Sequence, residues 1–198
     1  MSRLSLTMFL VLTAIFILLG FISPFLAPLN LLVRSYVDSK RDMRLRPLMI
    51  LTHRYNDVLS LSVQLILLAL LLGLLYGDWK RAMVLLSAMF IQTTVVSFCK
   101  RLSSIDRPPQ LITHVVMTSG SYPSGHSTAS LTFALLVPTV LMPYIPLGLL
   151  ITLAVYLLGV ALLTAYGRLY LDVHWLTDII GGWSLAGATY LLSLAFLA

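Results

Sequence analysis

Six stretches of the chain are almost purely apolar: Leu4–Phe21, Val58–Tyr76, Ala82–Cys99, Ser127–Leu141, Leu147–Tyr166 and Ile179–Ala198. Most approach the ~20 residues that a helix needs to cross a bilayer. In lipid such a run is helical, because every backbone amide must find its acceptor within its own segment. The alternating pattern of barrel strands is absent. The pattern predicts an all-α integral membrane bundle of six transmembrane helices, read as one domain over residues 1–198. Within it, 1–57 supply the first span and a basic interfacial segment, and 58–198 supply the core. The fourth run is short and holds Pro138, so its far end is the hardest boundary to place.

Composition agrees with this picture. The chain is 59% hydrophobic and only 10% charged, too apolar for a soluble domain. The first run follows Arg3, but "FISPFLAPLN" comes after it with no small-residue cleavage site, so it reads as a retained signal-anchor helix. Cys99 is the single cysteine, which excludes an intrachain disulfide and says nothing of the compartment. The net charge of +6 points to anionic lipid headgroups or an anionic substrate. Nucleic acid is not an expected partner, since no soluble basic domain is there to hold it.

Spans that alternate direction place every second connection on one side of the membrane. One face then receives Arg34–Asp57, Lys100–Gly125 and Arg168–Val173; the other receives the N-terminus, "GDWKR" (77–81) and "MPYIP" (142–146). All four histidines and every acid but Asp78 lie on or near the first face, so chemistry is expected there. The acids are seven aspartates and no glutamate, which excludes an H-E-x-x-H zinc site and argues against a carboxylate-rich metal centre.

Three clusters on that face carry reactive groups. The first lies within "SYPSGHSTAS" (121–130), where Pro123, Ser124 and Gly125 precede an apolar helix. The first N–H groups of a helix lack intrahelical partners, and together with the helix dipole they favour an anion, beside which His126 would stand. Read alone, the same residues also fit a plain N-cap with an interfacial histidine. The second cluster, "KRLSSIDRP", sets Lys100 and Arg107 seven residues apart. The arginine fork suits a phosphate, although cations also commonly flank spans at the headgroup level; Arg101 and Asp106 read as such a solvated flank. In the third, "GRLYLDVHWLTD", His174 and Asp178 are four apart on one helix face, with Arg168 and Asp172 ahead of them. An aspartate bonded to one imidazole nitrogen makes the other a better nucleophile or base. The alternative is a structural pair capping a helix beside Trp175, but an ionisable pair at a membrane boundary is costly enough to favour function.

Lys100-x6-Arg107-Pro108, Pro123-Ser124-Gly125-His126 and Arg168-x5-His174-x3-Asp178 together resemble the three-part signature of type 2 phosphatidic acid phosphatases, the lipid phosphate phosphatases. The resemblance covers roughly residues 58–198. It departs at Gly167, where the family usually carries serine ahead of the third-motif arginine. It implies that His174 attacks phosphorus and becomes a phosphohistidine, that Asp178 orients it, and that His126 protonates the leaving oxygen and then activates water. Lys100, Arg107, Arg168 and the amides near Ser124, Gly125 and His126 would bind the substrate's oxygens. It further implies no metal and no other cofactor.

The implied substrate is a membrane lipid phosphate. Phosphatidylglycerol phosphate, phosphatidic acid, undecaprenyl diphosphate and the phosphorylated sugar of lipid A are left unranked. Transfer of phosphate to another lipid by the same intermediate, a non-catalytic anionic-lipid binder and a metal-dependent phosphatase are the competing readings. Bacterial members of the family generally face the site outward. The first face, however, carries ten of the thirteen basic residues, which by the positive-inside rule points to the cytoplasm. The expectation is the inner membrane with the site on the periplasmic or outer face, the basic stretch 34–57 binding headgroups. His114 reads as a loop or gate residue, and His53 as a solvated interfacial histidine. Gln92, Thr93 and Thr94 read as interhelical hydrogen-bond partners.

Overall fold

A computed structural model describes residues 1–103, 105–110 and 119–198; His114 lies outside the described residues. Helix α1 (Arg3–Ile22) turns through a 3₁₀ segment (Ser23–Leu26) into α2 (Ala27–Ser39). A second 3₁₀ turn (Met43–Leu45) leads to the short α3 (Arg46–Tyr55). The remaining helices are α4 (Val58–Tyr76), α5 (Trp79–Leu102), α6 (Gly125–Leu141), α7 (Leu147–Tyr170) and α8 (Leu176–Leu197). Among the described residues there is no strand.

Five helical segments are long and apolar enough to cross a membrane: Arg3–Ser39, Val58–Tyr76, Trp79–Leu102, Leu147–Tyr170 and Leu176–Leu197. The sixth expected span, α6, is a 17-residue helix that continues through Pro138 to Leu141. Its shortness and polarity have one cause: α6 sits inside the bundle. His126, Ser127, Thr128, Ser130 and Thr132 are all buried, so protein and not lipid surrounds its polar side chains. Thr132 Oγ1 donates to Gln92 Oε1 on α5 at 2.5 Å, the interhelical role expected of Gln92. Thr93 instead bonds back to the Met89 carbonyl of its own helix.

Outside, the bundle shows the reverse. α1 buries only Phe16, and Phe21, Phe25, Leu74, Leu75, Phe90 and Phe196 stand exposed. A continuous apolar exterior of this kind is the lipid-facing surface of an integral membrane protein. In lipid, helices associate through close packing of small residues, and α8 shows it. A Cβ at Gly181 would collide with the Tyr122 ring, and one at Gly182 would come within 2.9 Å of the Ser124 carbonyl. Tyr122 cannot yield, because it stacks on Phe16 and its hydroxyl donates to the Phe16 carbonyl. Gly181→Ala is therefore expected to destabilise the protein by about 1–3 kcal/mol, the usual cost of overpacking. Thermal unfolding in detergent checks this against Gly148→Ala, where the added Cβ meets open space and no loss is expected.

The two ends of the bundle differ. At one, Asp78 caps α5 and accepts hydrogen bonds from the Tyr144 hydroxyl and then from Arg81, its Nη1 like the hydroxyl at 2.5 Å, which hold its carboxyl down at about 2. This end is a structural lock. At the other, α2 and α3 close over the turn between α7 and α8. Asp172, at a left-handed φ of 53° that aspartate tolerates, accepts from Arg34 Nε at 3.2 Å and Arg41 Nη2 at 3.1 Å. Arg41 also lies over the Tyr170 ring. Part of the basic stretch expected to meet headgroups thus points inward and clamps the fold: Arg34 and Arg41 are held by Asp172. Ser23 and Asn30 bond to Thr177 and fix the first turn of α8.

Candidate active site

Lys100 and Arg168 were expected to follow their spans; they lie instead within the last turns of α5 and α7. A helix C-terminus carries partial negative charge, so a cation in its last turn prolongs the helix. Arg107 arrives from the connection after α5. His174 precedes α8, and Asp178 sits in the first turn of α8. These four charged groups, His174 and His126 all belong to the end of the bundle opposite Asp78.

Asp178 Oδ2 gathers three donors: the Ser121 hydroxyl, the Trp175 amide at 2.8 Å and His174 Nδ1 at 3.1 Å. Because the carboxylate accepts, His174 carries its proton on Nδ1 and leaves an electron pair on Nε2. That nitrogen faces Arg107 Nη1 at 3.3 Å. Burial, and then the charges of Arg168, Lys100 and Arg107, push the His174 pKa well below its usual 6.5. The imidazole is 2% exposed and neutral at pH 7. An uncharged imidazole, oriented by Asp178 and with its Nε2 electron pair directed at the Arg107 guanidinium, is arranged for attack on an anionic centre.

Arg107 is itself held from four sides. It donates to the carbonyls of Val173 (2.6 Å), Ser119 (3.0 Å) and Gly120 (3.2 Å), and to the Ser119 hydroxyl (3.3 Å). Arg168 is 1% exposed; its Nη1 meets His53 Nδ1 at 2.6 Å, while Nε and Nη2 are buried without a partner. Unsatisfied guanidinium donors inside a protein are costly, and an oxyanion is the acceptor that suits them. Lys100 lies within electrostatic reach of both arginines and Asp178. Lys100 and Arg107 thus face the buried Asp178 carboxylate with Arg168 close by, an excess of positive charge that selects an anion.

Ser124 is the N-cap of α6: its Oγ lies 2.9 Å from Ser127 Oγ and its amide donates to the Asp178 carbonyl at 3.0 Å. Its hydroxyl and its amide both have partners within the protein. The amides of Gly125 and His126 remain as first-turn donors without intrahelical acceptors. A Cβ at Gly125 would face Val96 and Val58, so the glycine brings α6 close to α5 and α4. At Gly167 a Cβ would lie 3.5 Å from Met49 Sδ, in ordinary contact with α3.

His126 is buried, with Nε2 3.5 Å from Asp57 Oδ2. Its ring lies 4.5 Å from that of His53. The reading of His53 as a solvated interfacial residue is thereby corrected: α3 turns it inward between His126 and Arg168. Ser119, Ser121, His53 and Asp57 were all missed as parts of the site. Ser121 opens the polar stretch "SYPSGHSTAS", but nothing in its neighbourhood marks it as a partner of Asp178.

A sequence model of the PAP2 superfamily matches residues 81–198. No curated protein sequence matches the chain significantly. Among solved structures, the fold is similar to that of the "first transmembrane PAP2 type phosphatidylglycerolphosphate phosphatase from Bacillus subtilis". The TM-score is 0.78 at 19% identity, over 97% of this chain and 94% of that one.

Proposed function

The chain belongs to the PAP2 superfamily, and from that premise we propose that it hydrolyses a phosphomonoester or diphosphate on a membrane lipid, without a metal, through a phosphohistidine on His174. One observation carries the reading: His174 Nδ1 is tied to Asp178 while Nε2 faces Arg107, beside the buried, unpartnered donors of Arg168.

In the first step the Nε2 electron pair attacks phosphorus and the bond from phosphorus to the lipid oxygen breaks. His126 gives a proton to that oxygen. Nδ1–H stays on Asp178, whose carboxylate balances the charge of the phosphorylated ring. In the second step water attacks phosphorus and yields a proton to His126; the N–P bond breaks and inorganic phosphate leaves. Lys100, Arg107, Arg168 and the amides of Gly125 and His126 stabilise charge on the phosphoryl oxygens, while Ser124 places those amides. A site at one end of the bundle suits a headgroup whose lipid tail stays in the bilayer.

Phosphate release from a panel of lipid phosphates, with chelator present, tests the reaction. Phosphatidylglycerol phosphate leads the panel because the structural neighbour is named for it; phosphatidic acid and undecaprenyl diphosphate follow. Turnover by wild type and not by His174→Ala is expected. Activity that chelator removes and Mg²⁺ restores would overturn the metal-independent reading.

We place the protein in a bacterial inner membrane with the site on the periplasmic face. Arg34 and Arg41 are bound to Asp172, so they serve the fold and weigh less as a topology signal. An Asp106→Cys, Cys99→Ser variant is expected to react with an impermeant maleimide on intact spheroplasts. Labelling only after lysis would reverse the orientation.

A further inference from the structure

Outside the three motifs, one polar cluster reaches the site from elements that the motifs do not include. His53 projects from α3, a helix that lies at the end of the bundle beside α7. It faces Arg168 from α7, His126 from α6, Asp57 at the N-cap of α4, and Arg54 of its own helix. A guanidinium can only donate, so His53 Nδ1 accepts the bond from Arg168 Nη1, at 2.6 Å. The tautomer follows: the proton of His53 sits on Nε2. This is the single hydrogen bond that Arg168 makes through its side chain among the described residues, and its Nε and Nη2 stay open.

Resting on the phosphatase reading, we propose that His53 is a positioning residue: its Nδ1 fixes the Arg168 guanidinium so that Nε and Nη2 present to the substrate's phosphoryl oxygens. Its ring also confines the His126 imidazole at 4.5 Å, so one side chain sets the attitude of two groups in the site. Geometry and charge act together here. Burial and the adjoining Arg168 hold the His53 pKa down at about 4, against a smaller opposite pull from Asp57. His53 is therefore neutral, and its acceptor available, at any pH near neutrality. A protonated ring would lose the acceptor and repel Arg168.

The test compares His53→Leu, which fills the ring's space without an acceptor, with His53→Asn, whose Oδ1 can stand where Nδ1 stood. Both are made in wild type and in Arg168→Leu. The readouts are kcat/KM for phosphate release, affinity for inorganic phosphate by calorimetry in detergent, and thermal unfolding. His53→Leu is expected to lower kcat/KM by about 10–100-fold, the scale of a misplaced catalytic contact, and to weaken phosphate binding. His53→Asn should restore most of both. In Arg168→Leu, His53→Leu should cost little more, since the two residues act as a unit. Equal behaviour of His53→Leu and His53→Asn, or losses that add independently of Arg168, would overturn the proposal. If wild type releases no phosphate, the reaction reading falls by itself. The order of phosphate affinities, with His and Asn above Leu, still decides the role of His53.

Discussion

His174→Ala is expected to reduce phosphate release by at least roughly 10⁴-fold, the scale on which covalent catalysis collapses when its nucleophile is removed. The reason is local. Nε2 of His174 faces a cation with its partner nitrogen pinned by a carboxylate, and alanine supplies no atom in its place. Water could still attack a bound phosphate directly, helped by Lys100, Arg107 and Arg168, so a small residual rate is expected. Inorganic phosphate should still bind, because those three cations remain. A second measurement separates a nucleophile from an acid or base. Rapid quenching of wild type with radiolabelled substrate should trap protein-bound phosphate that is labile to acid and stable to alkali, and His174→Ala should trap none. Substantial turnover by the variant would remove His174 from the chemistry.

Arg168→Leu has the second largest expected effect, a fall in kcat of about 10²–10³-fold, comparable to losing an oxyanion donor. Its signature is that stability does not fall with activity. Arg168 is fully enclosed, with two of its nitrogens unpartnered, and such a charge costs the resting protein free energy that an apolar residue of similar size does not. The expected result is a nearly inactive protein whose thermal midpoint in detergent is unchanged or raised. Arg168→Lys should recover only a part of the rate, since a point charge lacks the planar fork. A parallel loss of activity and thermal stability would make Arg168 a structural residue.

The six spans were legible because the bilayer imposes a one-dimensional rule: a helix in lipid must be apolar over its whole length. Where that rule lapses, so did the reading. α6 begins at Gly125, two residues before its apolar run, because its polar first turn is enclosed by protein. α7 continues to Tyr170, past Tyr166, since a cation in the last turn of a helix prolongs it. The basic stretch 34–57 read as a headgroup surface because charge in a sequence carries no direction. In the fold, Arg34 and Arg41 turn inward to Asp172, more than 130 positions away.

The sequence by itself determined which chemistry is available. Two histidines, a paired aspartate and three cations stand at span ends, and span parity alone put the three cations on one side of the membrane. That placement follows from span parity and needs no tertiary information, whereas helix pitch does not describe the pair: His174 lies ahead of α8, and Asp178 reaches back to it from the first turn. Only the tertiary structure decided how those groups are held. Ser121 reaches Asp178 across 57 positions and His53 reaches Arg168 across 115, and Ser124 proved to be a cap. Such contacts depend on how α3 packs against α7 and α6 against α8, and no local property of residues 53 or 121 encodes that packing.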